Sequence, residues 1–305
     1  MTAKMIVIKM ITKKVNKMSI NASMIKELRN KTGAGMLDCK KALEETEANL
    51  EEAITWLRKK GLASAGKKAG RETSEGVIAT LMDGGKATII ELSSETDFVG
   101  KNEKFLNLAD TIVKSTHKFK GDSLSQFLES GIHNSTPIKD IIAEHISIIG
   151  ENILLKRFSK ISVQNGKLIP YIHNKLADNI GKIGVVVALE GEINKEVEEF
   201  GKQLAMHVAA SKPLALSQES LDPTIIEKEK SILKEQALSS GKSAEVVEKM
   251  IEGRIRKFLK EIILLEQPFV VDGKTKIKKI IEDLKNKTDC KFTISDYTRY
   301  EIGEN

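Results

Sequence analysis

The chain has 305 residues, 40% hydrophobic and 30% charged, with a formal net charge of +6 at pH 7. That length supports two or three domains with cores of their own, and no apolar run is long enough to cross a bilayer. Two cysteines, Cys39 and Cys290, are too few for a disulfide framework or a four-thiolate zinc site and fit a reducing compartment.

Residues 1–17, MTAKMIVIKMITKKVNK, hold Lys4, Lys9, Lys13, Lys14 and Lys17 and no acid, so the rest of the chain is close to neutral. A body of interspersed signs has no phosphate-tracking stripe, which argues against direct nucleic-acid binding. The leader lacks the apolar core and cleavage site of a secretory signal and the Arg and Ser of a mitochondrial transit peptide. It reads as a disordered, dispensable extension, with Met18 as a natural start.

From residue 18 the pattern is helical. SMIKELRNKTG predicts a helix with Ile25 and Leu28 inward, stopped at Gly33. GAGMLDCKKAL opens a second helix with Cys39, Ala42 and Leu43 inward, and Asn49 caps a third, with Glu52 in the capping-box position. This three-helix module, 18–62, leaves Met36 and Leu37 at a tight loop, where they either present an apolar contact or close the module's own small core. Residues 63–74 are small, polar and basic and read as a linker.

Strands and helices then alternate. GVIATLMDGGKATIIEL predicts a hairpin turning at DGG, and FLNLADTIVK an amphipathic helix. The same order of elements returns in LIPYIHNKLADNIGKIGVVVALEG and NKEVEEFGKQLAMHVAASKP. This predicts two related α+β core subdomains, 75–166 and 167–223 with 266–305. Between the last two segments, 224–265 predicts an antiparallel helical hairpin broken at SSGKS. The fold class expected is therefore α+β.

No P-loop, dinucleotide fingerprint, nucleophile elbow, HExxH or CxxC spacing occurs, and no cofactor motif is found. Two features draw a functional question. Asp97-Phe98 lies at a strand-to-helix junction, and on residue type alone Phe98 reads as core and Asp97 as a helix N-cap. His207, on a half-apolar helix, likewise reads first as a satisfied structural histidine.

These landmarks, in this order, resemble bacterial and organellar elongation factor Ts. The stretches that carry the resemblance are KELRNKTGAGMLDCKKAL (26–43), TDFVGKNEKF (96–105), IGENI (149–153), AMHVAASKP (205–213), SGKSAEVVEKMIEGRIRKF (240–258) and EQPFV (266–270). The resemblance implies a nucleotide-exchange factor, not an enzyme of a catalytic class, that binds elongation factor Tu in its GDP-bound and nucleotide-free forms and promotes GDP release. It implies that the first module is similar to a ubiquitin-associated domain and docks on the GTPase through Arg29, Met36 and Leu37. It implies that Thr96, Asp97, Phe98 and Val99 form a wedge near the magnesium site, and that His207 touches the phosphate-loop side. Neither cofactor nor metal is implied for the chain itself. Some members carry a C-terminal helical module after the last strand, whereas this sequence ends at YTRYEIGEN. A complete hairpin favours a bacterial, cytoplasmic protein over a mitochondrial one and allows a homodimer through that hairpin. The alternative from another class is a ribosome- or RNA-associated protein without exchange activity, which the basic leader and linker suggest.

Overall fold

Three helices open the described chain, and each boundary has a local cause. Helix α1 (Ala22–Thr32) is capped by Asn21, whose side chain accepts from the Met24 amide at 2.9 Å, and it stops at Gly33 with φ 67°. A left-handed C-cap of this kind is where glycine is favoured. Helix α2 spans Met36–Glu45 and helix α3 Leu50–Lys68. Asn49 Oδ1 accepts from the Glu51 and Glu52 amides, while its Nδ2 donates to Glu52 Oε1 at 2.9 Å. Leu28, Cys39, Ala42, Leu43 and Ala53 make the core of this module, with Ile25, Trp56 and Leu57 packed around them. Burial pushes the Cys39 thiol above its ordinary pKa.

The computed structural model describes residues 20–238 and 244–304. The leader, 1–17, expected as a disordered extension, and the hairpin break SSGKS, 239–243, lie outside the described residues.

Helix α3 departs from expectation. The stretch LASAGKK, whose latter part was read as the start of a linker, stays helical through Lys68. It lies against helix α7 (Ile138–Ile149): a Cβ at Gly61 would stand 3.6 Å from the Ala143 carbonyl and 3.7 Å from Ser147 Cβ. Small residues let the two helices approach closely, and Arg58 pairs with the buried carboxylate of Asp140. Lys68 Nζ donates to the Ile146 carbonyl at 3.2 Å. Packing and charge pairing outweigh the weak helix propensity of a glycine-containing stretch.

Strands β1 (Glu75–Asp83) and β2 (Lys86–Ser94) form the expected hairpin, with Gly84 at φ 58° in its turn. A short helix α4 (Asp97–Gly100) follows, then α5 (Glu103–Lys118), α6 (Leu124–Ser130) and the two-residue strands β3 (Ile132–His133) and β4 (Thr136–Pro137) before α7. Strand β5 (Ile153–Ser162) joins a four-stranded sheet of order β5-β2-β1-β7, where β7 is Ile180–Gly181.

A second sheet, β6 (Gly166–His173), β8 (Ile183–Gly191) and β9 (Phe292–Glu301), is antiparallel throughout, with a register shift between Ala188 and Leu189. Helix α8 (Lys195–Ser211) packs Val197, Leu204 and Val208 into one core with Val185, Val187 and Leu189. Helices α9 (Pro223–Leu238) and α10 (Ala244–Ile262) touch one another, Arg254 Nη1 donating to Gln236 Oε1 at 3.2 Å. Helix α11 (Ile277–Thr288), which the sequence analysis did not anticipate, adds Ile277 and Ile281 to the second core.

Helices mixed with antiparallel sheets make the fold α+β, as expected. The chain divides into two compact units. The first unit runs through Gly76 and includes Ser93–Ser115 and Ser123–Leu155; the second comprises Val77–Leu92, Thr116–Asp122 and the chain from Lys156. The hairpin β1-β2 is drawn into the second unit because Ile78 and Ala79 pair with Gly181 and Ile180, and Ile78 and Ile89 pack on Tyr300.

Candidate functional site

In the first unit, residues 93–102 form a strap whose local geometry follows from a handful of side-chain bonds. Ser94 Oγ donates to the Thr96 carbonyl at 3.1 Å. Thr96 is extended, at φ −127° and ψ 156°, and sits at the N-cap of α4. Its backbone N–H donates to Glu151 Oε2 at 3.0 Å and its hydroxyl to Glu151 Oε1 at 2.7 Å. One residue earlier, Glu95 Oε1 accepts from the Asn152 amide at 2.6 Å, and Asn152 Nδ2 donates to the Arg71 carbonyl at 2.9 Å. Beyond the aromatic, Val99 and Gly100 are buried, and a Cβ at Gly100 would stand only 3.3 Å from the Gly76 carbonyl.

With both flanks fastened, the ring of Phe98 is left outside, 81% exposed. This removes the reading of Phe98 as a core residue. Asp97 is the first residue of α4 rather than its cap, and its Oδ2 accepts from Lys101 Nζ at 2.8 Å. That hydrogen bond holds the Lys101 ammonium above its ordinary pKa.

The helical module presents its own apolar surface. Met36 is 60% exposed and Leu37 82% exposed in the first turn of α2, so neither closes the module's core. Arg29 is exposed in the last turn of α1.

His207, expected to touch a partner on its phosphate-loop side, is an interior residue of this chain. It is 1% exposed, in the second unit, with its ring 5.7 Å from that of Phe269. Nδ1 accepts from the Val270 amide at 3.2 Å, so Nε2 carries the hydrogen and donates to Gln267 Oε1 at 2.8 Å. Gln267 in turn donates from Nε2 to the Glu261 carbonyl at 2.6 Å. Burial, opposed in part by the Gln267 bond, lowers the pKa of the imidazole, which keeps it neutral. In α8 this position lies beside Leu204 and Val208, both fully buried. What lies at the surface beside it is Met206, Val270 and Val271.

Sequence reasoning missed Glu151. The stretch IGENI was recognised as a landmark, but nothing in the sequence tells a carboxylate that its partner lies 55 residues away. Among the described residues no group of three or more His, Cys, Asp or Glu could hold a metal ion, and no helix is long and apolar enough to cross a membrane.

The strap leaves one aromatic exposed, and the helical module leaves an apolar pair exposed. Comparison with known proteins gives the family. Residues 95–304 match the family model described as Elongation factor TS. Elongation factor Ts of Zymomonas mobilis subsp. mobilis is 45% identical over 288 residues, covering 93% of each chain. Those of Rhizorhabdus wittichii and Rickettsia bellii are 43% and 40% identical, over 93% and 95% of this chain and 93% and 94% of their own lengths. The chain belongs to the elongation factor Ts family, and with it to the translation elongation factors.

Proposed function

We propose that this chain is a guanine-nucleotide exchange factor that binds elongation factor Tu in its GDP form and promotes release of the GDP. The observation that carries this reading is the 81% exposure of Phe98 on a strap tied down on both sides. A Phe ring offers a large, rigid area at low conformational-entropy cost, which suits insertion between two helices of a partner. The strap keeps that ring presented before binding, so little ordering remains to oppose association.

In this reading Thr96, Asp97, Phe98 and Val99 act together at the magnesium end of the partner's nucleotide site. Phe98 inserts, Asp97 brings a carboxylate beside it, and Thr96 and the buried Val99 hold the two ends. The partner holds GDP through a phosphate-binding loop and a magnesium ion that demands near-octahedral ligand geometry. A small helix displacement therefore weakens nucleotide far more than it weakens the factor. The two ligands oppose one another by a single coupling free energy: the factor lowers affinity for GDP as much as GDP lowers affinity for the factor.

Arg29, Met36 and Leu37 supply a separate docking surface, on a module similar to a ubiquitin-associated domain. His207 contributes indirectly, by holding the Val270 amide and with it the exposed Val270-Val271 turn. Helices α9 and α10 form the inserted antiparallel hairpin, which leaves room for a homodimer. The protein works in the bacterial cytoplasm with neither cofactor nor nucleic acid of its own. The test is release of a fluorescent GDP analogue from purified elongation factor Tu. Stimulation at substoichiometric amounts of this protein is expected, and an unchanged release rate overturns the proposal.

A further inference from the structure

We propose that Glu151 is the positioning residue of the wedge: its carboxylate fixes the direction in which Phe98 leaves the surface. The inference rests on the exchange reading above and names a part of the device that the reading did not contain. Both carboxylate oxygens are committed to one residue. Oε2 accepts from the Thr96 N–H at 3.0 Å and Oε1 from the Thr96 hydroxyl at 2.7 Å. Thr96 is separated from Phe98 by a single residue, so the orientation of its peptide decides where the ring points.

The bond has a reciprocal. Glu95 Oε1 accepts from the backbone N–H of Asn152, so residues 95 and 96 exchange carboxylate and amide with residues 151 and 152. Hydrogen bonds to an ionised acceptor are roughly twice as strong as neutral ones, and two at one residue also fix its orientation. The clasp is itself aimed by the helix before it. Helix α7 ends at Gly150, left-handed at φ 92° with its N–H on the Ile146 carbonyl at 3.0 Å, and Glu151 follows directly.

Glutamate accepts from both Thr96 donors in either orientation of its carboxylate. Glutamine would offer one acceptor and one NH2, and the NH2 would face a donor that cannot reverse if it met the Thr96 amide. Aspartate would keep the charge but withdraw it by one methylene. Alanine would leave the Thr96 N–H unbound and release the peptide ahead of Phe98.

The test uses the full chain and stopped-flow release of a fluorescent GDP analogue from elongation factor Tu, with Tu·GDP as the varied substrate. Glu151→Ala should lower the maximal stimulated rate about 10- to 100-fold, as a misplacement of about an ångström in a reacting constellation does. The concentration of Tu·GDP for half-maximal rate should change little, because the docking surface at Met36 and Leu37 is untouched. In a Phe98→Ala background the same change should add nothing, since the residue it positions is gone. Thr96→Val, which keeps the shape and removes only the hydroxyl donor, should slow release a few-fold with the same dependence on Phe98. It carries the test even if Glu151→Ala does not fold. Losses that multiply in the double variants, or a loss that appears only in the half-maximal concentration, overturn the positioning role. A Glu151→Ala rate equal to wild type while Phe98→Ala is slow overturns the positioning role alone. Phe98→Ala at the wild-type rate overturns the wedge itself and the positioning role with it.

Discussion

Replacing His207 with Ala separates a residue that touches a partner from one that holds its own chain. The substitution removes the acceptor of the Val270 N–H and the donor to Gln267 Oε1, both in a site where His207 is 1% exposed. Each buried group left without a partner costs about 1–3 kcal/mol, so the variant should lose about 3 kcal/mol of stability. For a unit of this size that corresponds to a fall in Tm of about 6–12 °C. The pH dependence has a definite sign. Burial lowers the pKa of His207 below its ordinary value of 6.5, so the unfolded chain takes up a proton that the folded one refuses. The stability this ring contributes is therefore complete above pH 6.5 and declines as the pH falls below it. Thermal unfolding of wild type and variant between pH 5 and 8 should show the gap in Tm widest at the alkaline end and narrowing toward pH 5. An unchanged Tm, or a gap that grows on acidification, refutes the reasoning and returns His207 to the surface as a direct contact.

Phe98→Ala should leave Tm within about 2 °C, since exposed side chains away from special features contribute within about 0.5 kcal/mol, while stimulated GDP release falls about 100-fold, the scale of a central hot spot. Met36→Ala and Leu37→Ala should raise the Tu·GDP concentration for half-maximal exchange and leave the maximal rate in place, as initial rates over a range of Tu·GDP will show. Arg157→Met should destabilise by about 3–5 kcal/mol, read by denaturant unfolding. It strands the fully buried carboxylate of Glu91, which accepts from Arg157 Nε at 2.6 Å. Gly191→Ala should cost more than about 1 kcal/mol by the same measurement, because the backbone there is at φ 103° and a Cβ would lie 2.0 Å from the Lys291 carbonyl.

Features that depend on neighbouring residues were legible in the sequence. The cap at Asn49, the stop at Gly33 and the Gly84 turn each follow from residue types a few positions apart. The inward face Cys39, Ala42, Leu43 follows from helical spacing. Two features depended on distant partners. LASAGKK looks like a linker until the surface of α7 is beside it, and Phe98 looks like core until both flanks of its strap are seen to be anchored. Helix α11 was overlooked because its stripe of Ile277, Ile280, Ile281 and Leu284 spans barely two turns between a glycine-containing turn and a strand.

If the chain exchanges nucleotide as proposed, the union of α3 with α7 has a kinetic consequence. Had 63–74 been a free linker, the module bearing Met36 and Leu37 and the strap bearing Phe98 would have engaged Tu as tethered strangers, with the entropy of closing the intervening loop lost at each binding event. Instead α3 lies along α7 through Gly61, Arg58 and Lys68, and α7 ends where Glu151 takes hold of Thr96. On the proposed exchange reading, once one surface had landed the other would be delivered to its target as an intramolecular step, at a high effective concentration set by geometry instead of by the amount of protein present. A wedge delivered in this way would need little affinity of its own. It would insert and withdraw quickly, as repeated turnover of an exchange factor requires.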